Sequence, residues 1–370
     1  MSLEKKRIVY FNMEAYIDTD ITVLRELQKV YDVVWIPMIH EQNPRFSETF
    51  IRNYASTYNI TLNLVKYSTR QSSFTYYFLI LKVVLFIKRL KPSLIYSSTG
   101  TLAWAFFSSL LLSSKCKIAA FHDVEYHSNT SHLWLLKISD YLLRISNNNF
   151  VLFSQSQLDI FQNKYKREGH LVGMSSKDFG KSIVETPAID KCVKLLFFGR
   201  IESYKGLDVL IASLETLYDK GYNNFSLSVY GKGACWNECK RYIKHKDLYN
   251  LQIRYIENEE IPDIMKNHHF LVLPYRDATQ SGPIMISVNY GLPIIAPSIN
   301  SFKDIYDEKS ALFYEQGSLN TALEKAVNIT MEEYSKMKEH CNSLKNRFSE
   351  ERVSKNYIEY FERLLSVNNQ

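Results

Sequence analysis

Two turns in the second half of the 370-residue chain carry side chains suited to anion chemistry. The apolar run Lys194–Phe198 ends at Gly199-Arg200, and Lys205-Gly206 precedes the helical pattern of Leu207–Leu217. A strand, a tight turn and a helix N-terminus in that order aim backbone N–H groups and two fixed cations into one small volume. That is what a phosphate or diphosphate requires. The same residues would also make an ordinary α/β turn with two solvated cations, and this stretch alone weighs evenly between the two. The loop Pro274–Gly282 repeats the layout, with a strand before it and a helix starting at Pro283 after it. Proline suits the first helical turn, so the N–H groups of Ser281 and Gly282 lie at a positive helix terminus. Two such units in one half of the chain are more specific than either alone.

Other candidates lie outside these turns. His122 and Asp123 follow the strand pattern of Lys117–Phe121, with His127 five residues after His122. Two histidines and a carboxylate in one loop suit metal binding, acid–base work or sugar binding, and also a purely structural histidine. Asp18-Thr19-Asp20 is formally a triplet able to hold a divalent metal, but it stands at a helix entry, where capping is the stronger expectation. Gly231 and Gly233 follow the strand Phe225–Tyr230. A lone G-x-G is weak, and Asn12-Met13-Glu14 stands where a dinucleotide-binding domain would place its glycines, which disfavours a nicotinamide enzyme.

The elements that position these residues alternate. Strand patterns at Arg7–Phe11, Tyr31–Pro37, Ile60–Lys66, Ser93–Ser97, Lys117–Phe121 and Asn149–Ser154 are separated by helical patterns at Ile21–Val30, Phe74–Leu90, Leu102–Leu112 and His132–Ile145. Polar and turn residues at 166–190 interrupt this order. It then resumes with strands at Lys194–Phe198, Phe225–Tyr230, Leu251–Tyr255, Phe270–Pro274 and Leu292–Ala296. Such alternation predicts an α/β protein of two tandem doubly wound, Rossmann-like domains with a cleft at the carboxyl ends of their strands. The expected domains are 1–185 and 186–348, with a helix in 349–370 that has no following strand to serve.

Composition narrows the class. Apolar residues make up 46% and charged residues 23%, and 12 Gly with 9 Pro argue against long disordered linkers. No stretch reaches the roughly 18 apolar residues of a membrane span, and the N-terminus runs from charges straight into a strand, without a leader. Cys116, Cys192, Cys235, Cys239 and Cys341 are scattered, which suits a reducing cytoplasm and gives no metal site. The net charge of +6 lies entirely in residues 1–190, with 22 basic and 16 acidic side chains. That excess suits an anionic substrate or membrane surface, and the aromatic, basic-ended helix Phe74–Leu90 is the expected contact. Aromatic and basic residues are not interleaved as in an RNA-binding motif, so no nucleic-acid partner is expected.

The segments FFGRIESYKGLDVLIASL, LSVYGKG, LVLPYRDATQSGP and NYGLPIIAPSINSFKDIYDEKSALFY, in this order across residues 190–320, resemble the retaining glycosyltransferases of family 4, which have the two-domain GT-B fold. In the first half, FHDVEYH and NFVLFSQSQLDIF resemble the acceptor-side loop and the strand before the linker in a bacterial polysaccharide-type branch with a Gln-Ser-Gly loop. The resemblance implies roles. Arg200 and Lys205 neutralise the donor's diphosphate; Gln280, Ser281 and Gly282 surround its sugar and phosphates; Gly199, Gly231 and Gly233 shape the donor site. His122 faces the transferred sugar, with Asp123 and His127 on the acceptor side. The last helix, Ser349–Leu365, returns to the N-terminal domain. The implied substrates are a nucleotide-diphosphate sugar and a saccharide or lipid-linked saccharide acceptor in polysaccharide biosynthesis. No cofactor or metal is implied, and the place is cytoplasmic or peripheral on a membrane. One departure stands out: the two family glutamates, eight apart, are Ala278 and Ile286 here, so the ribose contact has no residue. Glu257, Glu259 and Glu260 are near in sequence but read as a solvated acidic turn. A non-catalytic nucleotide- or polyanion-binding protein on the same fold is the competing reading.

Overall fold

A computed structural model describes residues 5–42, 44–124, 133–189, 192–276 and 281–367. They form two compact units, one of residues 1–175 with 350–370 and the other of 176–349. The chain leaves the first unit at Ser175 rather than near 185. Val172 still belongs to the core of the first unit, whereas the Ser176 N–H already donates to the Phe348 carbonyl and Lys177 N–H to that of Met285.

The first unit holds strands β1 (Arg7–Met13), β2 (Asp32–His40), β3 (Thr61–Leu62), β4 (Val65–Tyr67), β5 (Leu94–Ser98), β6 (Lys117–Phe121), β7 (Asn149–Leu152) and β8 (His170–Leu171). Helices α1 (Ile17–Val30), α2 (Glu48–Thr57), α3 (Phe74–Leu90), α4 (Leu102–Leu111), α5 (Leu133–Ser146) and α6 (Gln155–Tyr165) connect them. The strand order is β3-β2-β1-β5-β6-β7-β8, with β4 also on β2, and all recorded pairings are parallel. Side chains of β1 alternate between two cores: Ile8 and Tyr10 pack on one face, Val9 and Phe11 on the other. A strand buried on both faces reads as a continuous apolar run, which is why RIVYF was recognisable.

The single strand expected over Ile60–Lys66 is two short ones. Both pair with β2 in one register, and the Asn63 N–H between them donates to the Trp35 carbonyl at 2.8 Å. Helix α2 was not foreseen; Ser47 caps it by accepting from the Phe50 N–H at 3.1 Å.

The second unit holds β9 (Val193–Phe198), β10 (Phe225–Tyr230), β11 (Tyr249–Gln252), β12 (Phe270–Val272), β13 (Ile294–Pro297) and β14 (Ala311–Tyr314). Its helices are α7 (Leu207–Asp219), α8 (Trp236–Cys239), α9 (Ile261–Lys266), α10 (Gly282–Tyr290), α11 (Asn300–Lys303), α12 (Leu319–Val327) and α13 (Met331–Arg347). The order β11-β10-β9-β12-β13-β14 is again parallel. β11 ends at Gln252, not Tyr255: the Arg254 N–H folds back onto the Gln252 carbonyl at 3.0 Å.

In each sheet the chain winds one way from a central strand and then crosses to its other side. The crossing falls between β1 and β5 in the first unit and between β9 and β12 in the second. Ligands of open α/β sheets bind outside the carboxyl ends of the strands at such points.

The last helix, α14 (Glu350–Val367), belongs to the first unit. Val353, Tyr357, Phe361 and Leu365 recur at helical spacing and are buried in the core that α1 shares. Arg25 of α1 pairs with Glu350, and the Tyr31 hydroxyl donates to Glu362 at 2.8 Å.

Candidate functional site

The switch point of the second unit gathers three loops. The one after β9 turns at Gly199 and donates hydrogen bonds into the neighbouring loop: Gly199 N–H to the Tyr230 carbonyl at 2.9 Å and Ile201 N–H to that of Lys232 at 3.0 Å. Gly231 holds φ +143°, and a Cβ there would stand 1.9 Å from the Gly199 carbonyl oxygen. No side chain fits, so Gly231 sets how closely the two turns approach. Gly233 lies against Ile201 in the same way. Gly206, at φ +68°, lets the start of α7 approach the Pro274 carbonyl, which a Cβ would meet at 2.0 Å. The Arg276 N–H donates to the Tyr204 carbonyl at 2.8 Å, while its guanidinium pairs with Asp208 at 2.5 Å and donates to the Ser203 carbonyl. Pro274 and Arg276, after β12, are therefore one assembly with the 199–206 loop.

Lys205 is its central cation. Only 6% of it is exposed, and among the described residues no carboxylate stands at ion-pair distance from it. Its ammonium lies 5.2 Å from the centre of the Tyr275 ring. A methyl group on Gly199 would be 3.1 Å from that ammonium and 3.5 Å from the Pro283 ring. Burial, and next the Arg200 charge, lower its pKa from 10.5 to about 8, with Glu202 opposing. Arg200 is exposed at the turn and hydrogen-bonds the Tyr204 side chain.

Helix α10 starts at Gly282 with Pro283 in its first turn, and no side chain caps it. The hydroxyl of Ser281, at the cap position, instead lies 3.2 Å from the hydroxyl of buried Tyr275. The helix start thus keeps its partial positive charge, with Lys205 beside it. Lys177 adds a third cation: its ammonium is 3.9 Å from where a Cβ on Gly282 would be. Nothing in the sequence marked Lys177, a lone lysine in a polar stretch. Arg276 was inside a recognised loop, but its partners lie far away in sequence. Gln280 lies outside the described residues, as does Ala278. Ile286 is a buried apolar residue of α10 and offers no ribose contact. Glu260 is held by Arg254 and by the Glu257 N–H in a capping box, so this acidic turn is committed to its own fold.

In the first unit, His122 lies at the carboxyl end of β6 and is 9% exposed. Its ring is stacked between Tyr16 and Phe153, with centroids 4.1 and 4.0 Å away. Its Nε2 is 2.8 Å from Ser98 Oγ at the end of β5. Asp123 follows, half-buried; its charge adds to the burial that pushes the Tyr16 phenol up to about 12. His127 lies outside the described residues.

Asp20 corrects the capping expectation. Helix α1 begins at Ile17, and Asp20 faces inward, fully buried. Its carboxylate accepts from the Tyr10 hydroxyl at 2.8 Å and from Asn12 Nδ2 at 2.9 Å, and Asn12 Oδ1 accepts from Trp35 Nε1 at 3.1 Å. Ser98 also hydrogen-bonds Asp20, so Asp20, Ser98 and His122 form one chain across the switch point. When Ser98 donates to the carboxylate, it must accept from His122 Nε2–H, which fixes the tautomer. Desolvation raises the Asp20 pKa from 3.8 to about 7, opposed by these hydrogen bonds. Asp18 instead pairs with Arg45 at 3.0 Å. Among the described residues no cluster of three metal-ligating side chains exists, and no helix is long and apolar enough to cross a membrane.

Comparisons with known proteins agree with this layout. A family model described as glycosyl transferases group 1 matches residues 192–333, which contain the Gly199, Gly231 and Pro274 loops. A GDP-mannose:glycolipid 4-beta-D-mannosyltransferase of Xanthomonas campestris pv. campestris is 26% identical over 139 residues, 35% of this chain and 38% of that enzyme. The match therefore spans well under half the length of this curated relative. Among solved structures, a glycosyltransferase from Rickettsia africae superposes with a TM-score of 0.73 at 15% identity, covering 98% of this chain and 99% of that one. The Anabaena protein HepE, solved with UDP, gives 0.71 at 13% identity, covering 96% and 100%. Both parallel α/β units thus match GT-B structures along nearly the whole chain.

Proposed function

We propose that this protein is a glycosyltransferase, moving a sugar from a nucleoside-diphosphate donor held by the second unit to a saccharide acceptor, free or lipid-linked. One observation carries the reading: a nearly buried lysine without a carboxylate partner among the described residues stands beside a helix start that no side chain caps. The matched family and the relative that uses GDP-mannose supply the kind of anion that would complete it.

The chemistry follows from charge. As the glycosidic bond to the donor breaks, negative charge builds on the departing diphosphate, and fixed cations and dipoles lower that barrier without reorganising. Lys205 meets this charge as a compact ammonium and Arg200 as a forked guanidinium. The start of α10 contributes its N–H groups, and Lys177 stands on the helix side of the same volume. These groups take the place of a divalent metal, so the reaction proceeds in its absence. His122 and Asp123 serve the acceptor side, with Asp20 and Ser98 holding the imidazole. Retention of configuration at the transferred carbon belongs to the family resemblance.

The test is a thermal-shift screen with UDP- and GDP-sugars, followed by release of nucleoside diphosphate with candidate acceptors, with and without EDTA. A ligand at 100 times its dissociation constant stabilises by about 2.7 kcal/mol. We expect one nucleotide series to stabilise the protein, Lys205→Ala to lose that stabilisation, and EDTA to leave turnover unchanged. Failure of every nucleotide sugar to bind would remove the reading. Binding without turnover on any acceptor would favour a non-catalytic nucleotide-binding protein, the reading that buried Ile286 supports.

A further inference from the structure

Helices α3, α4 and α5 pack side by side on the first unit, and their outward stripes are apolar. Trp134, Ile138 and Ile145 recur at helical spacing along α5, Phe78 and Leu85 along α3, and Leu110 lies in the last turn of α4. All six are exposed, Trp134 by 63% and Leu110 by 66%. Isolated exposed apolar residues are ordinary, but three neighbouring stripes make a patch of the kind that marks an interaction surface. At the N-terminal ends of the three helices, where Trp134 belongs to both, the patch adjoins a cavity of about 970 Å³ lined by Phe74, Tyr77, Phe107 and Leu135, with Arg70 and Gln71 at its polar edge. That is at the upper end of the roughly 300–1,000 Å³ of small-ligand pockets.

Charge selects the occupant. The three helices carry Lys82, Lys88, Arg89, Lys137 and Arg144 and a single acid, Asp140, which is half-buried. Lys82 lies over the Phe78 ring, with its ammonium 4.5 Å from the centroid, so the apolar and basic groups are interleaved. A second copy of the chain docked face to face would bring these cations together and be repelled. Hydrocarbon beneath a layer of phosphates satisfies both features.

We propose that the α3–α4–α5 face docks on an anionic lipid bilayer and that its cavity receives a hydrocarbon chain of a lipid from that surface. The inference rests on the glycosyltransferase reading only in supplying a lipid-linked acceptor; lipid binding is measured without turnover.

The experiment is co-sedimentation of the full chain with phosphatidylcholine vesicles, with and without phosphatidylglycerol, while tryptophan emission is followed using lipids brominated along their chains. Binding that needs phosphatidylglycerol, weakens at high salt and quenches Trp134 is expected, the quenching being lost in Trp134→Phe. Lys82→Glu and Lys88→Glu should each weaken binding by at least about five-fold, from roughly 1 kcal/mol per surface cation. Phe78→Asp with Ile138→Asp should abolish it. These positions are exposed, and an unchanged far-ultraviolet circular dichroism spectrum and melting temperature without ligand show that the variants remain folded. No binding at low salt, equal binding to neutral vesicles, or binding of monomeric dodecyl phosphate but not vesicles would each overturn the proposal. So would a dimer dispersed by the aspartate variants in a protein that ignores vesicles. None of these outcomes touches the donor site, so the two readings fail separately.

Discussion

Replacing Lys205 by methionine should stabilise the empty protein and disable it. The lysine is nearly buried, and its pKa is lowered from 10.5 to about 8. The sign follows from linkage. Below pH 8 the side chain is charged in both folded and unfolded chains, so the folded state bears the whole penalty of holding that charge. As the pH rises from 8 to 10.5 the folded chain gives up its proton first, and stability rises. The difference corresponds to about 3 kcal/mol at 1.36 kcal/mol per pH unit. Methionine removes this penalty at pH 7 but also removes the contact of the ammonium with the Tyr275 ring, roughly 0.5–2 kcal/mol. The expected net gain is about 1–2.5 kcal/mol in urea denaturation at pH 7, disappearing above pH 10.5. Binding should move the other way. A charge-assisted hydrogen bond is worth about 1.5–3 kcal/mol, so affinity for the nucleoside diphosphate should fall at least ten-fold. In the wild type, calorimetry in two buffers near pH 8.5 should register proton uptake on binding, because the diphosphate restores the ammonium. A Lys205→Met variant that is less stable at pH 7 and binds UDP or GDP like the wild type would refute the reasoning.

Lys177→Ala should weaken the nucleoside diphosphate several-fold; equal affinity in calorimetry would remove Lys177 from the site. Gly231→Ala places a Cβ 1.9 Å from the Gly199 carbonyl oxygen at a positive φ, so it should cost at least about 1–3 kcal/mol by denaturation and lower diphosphate affinity. A folded variant with native affinity would show that the approach of these two turns does not matter. Asp20→Asn bears on the polar chain in the first unit. The Asp20 pKa lies near 7 in the folded state against 3.8 ordinarily, so the unfolded chain ionises first and wild-type stability falls as pH rises from about 4 to 7. Asparagine should flatten that loss, worth up to about 4 kcal/mol, with the Tyr10 hydroxyl turning to accept from the new amide. The same pH slope in both proteins would contradict the network.

The regular parts of the fold were legible because their signals are local. Val193–Phe198 is a short apolar run punctuated by Gly199, and Gly282-Pro283 opens α10, so each turn declared itself. Ordering the strands around β9 then puts Gly199, Gly231 and Pro274 at one edge of the sheet. What the sequence concealed depends on contacts between distant segments. Asp20 has the look of a helix cap, and only the meeting of β1, β2 and β5 shows that its carboxylate is buried against Tyr10, Asn12 and Ser98. The partners of Arg276, Ser203 and Asp208, lie about 70 residues away in sequence, so no local pattern points to them. The apolar runs of α3 and α4 read as buried helices, yet Phe78 and Leu110 are exposed, because composition alone does not say which residues of a helix face the core.

The most direct measurement is a crystal structure of the protein with the nucleoside diphosphate that gives the largest thermal shift. The account predicts the diphosphate within hydrogen-bond reach of Lys205 Nζ and the N–H groups at the start of α10, with Arg200 and Lys177 on its flanks. A diphosphate bound elsewhere, with Lys205 still turned to the Tyr275 ring and the α10 start untouched, would contradict it.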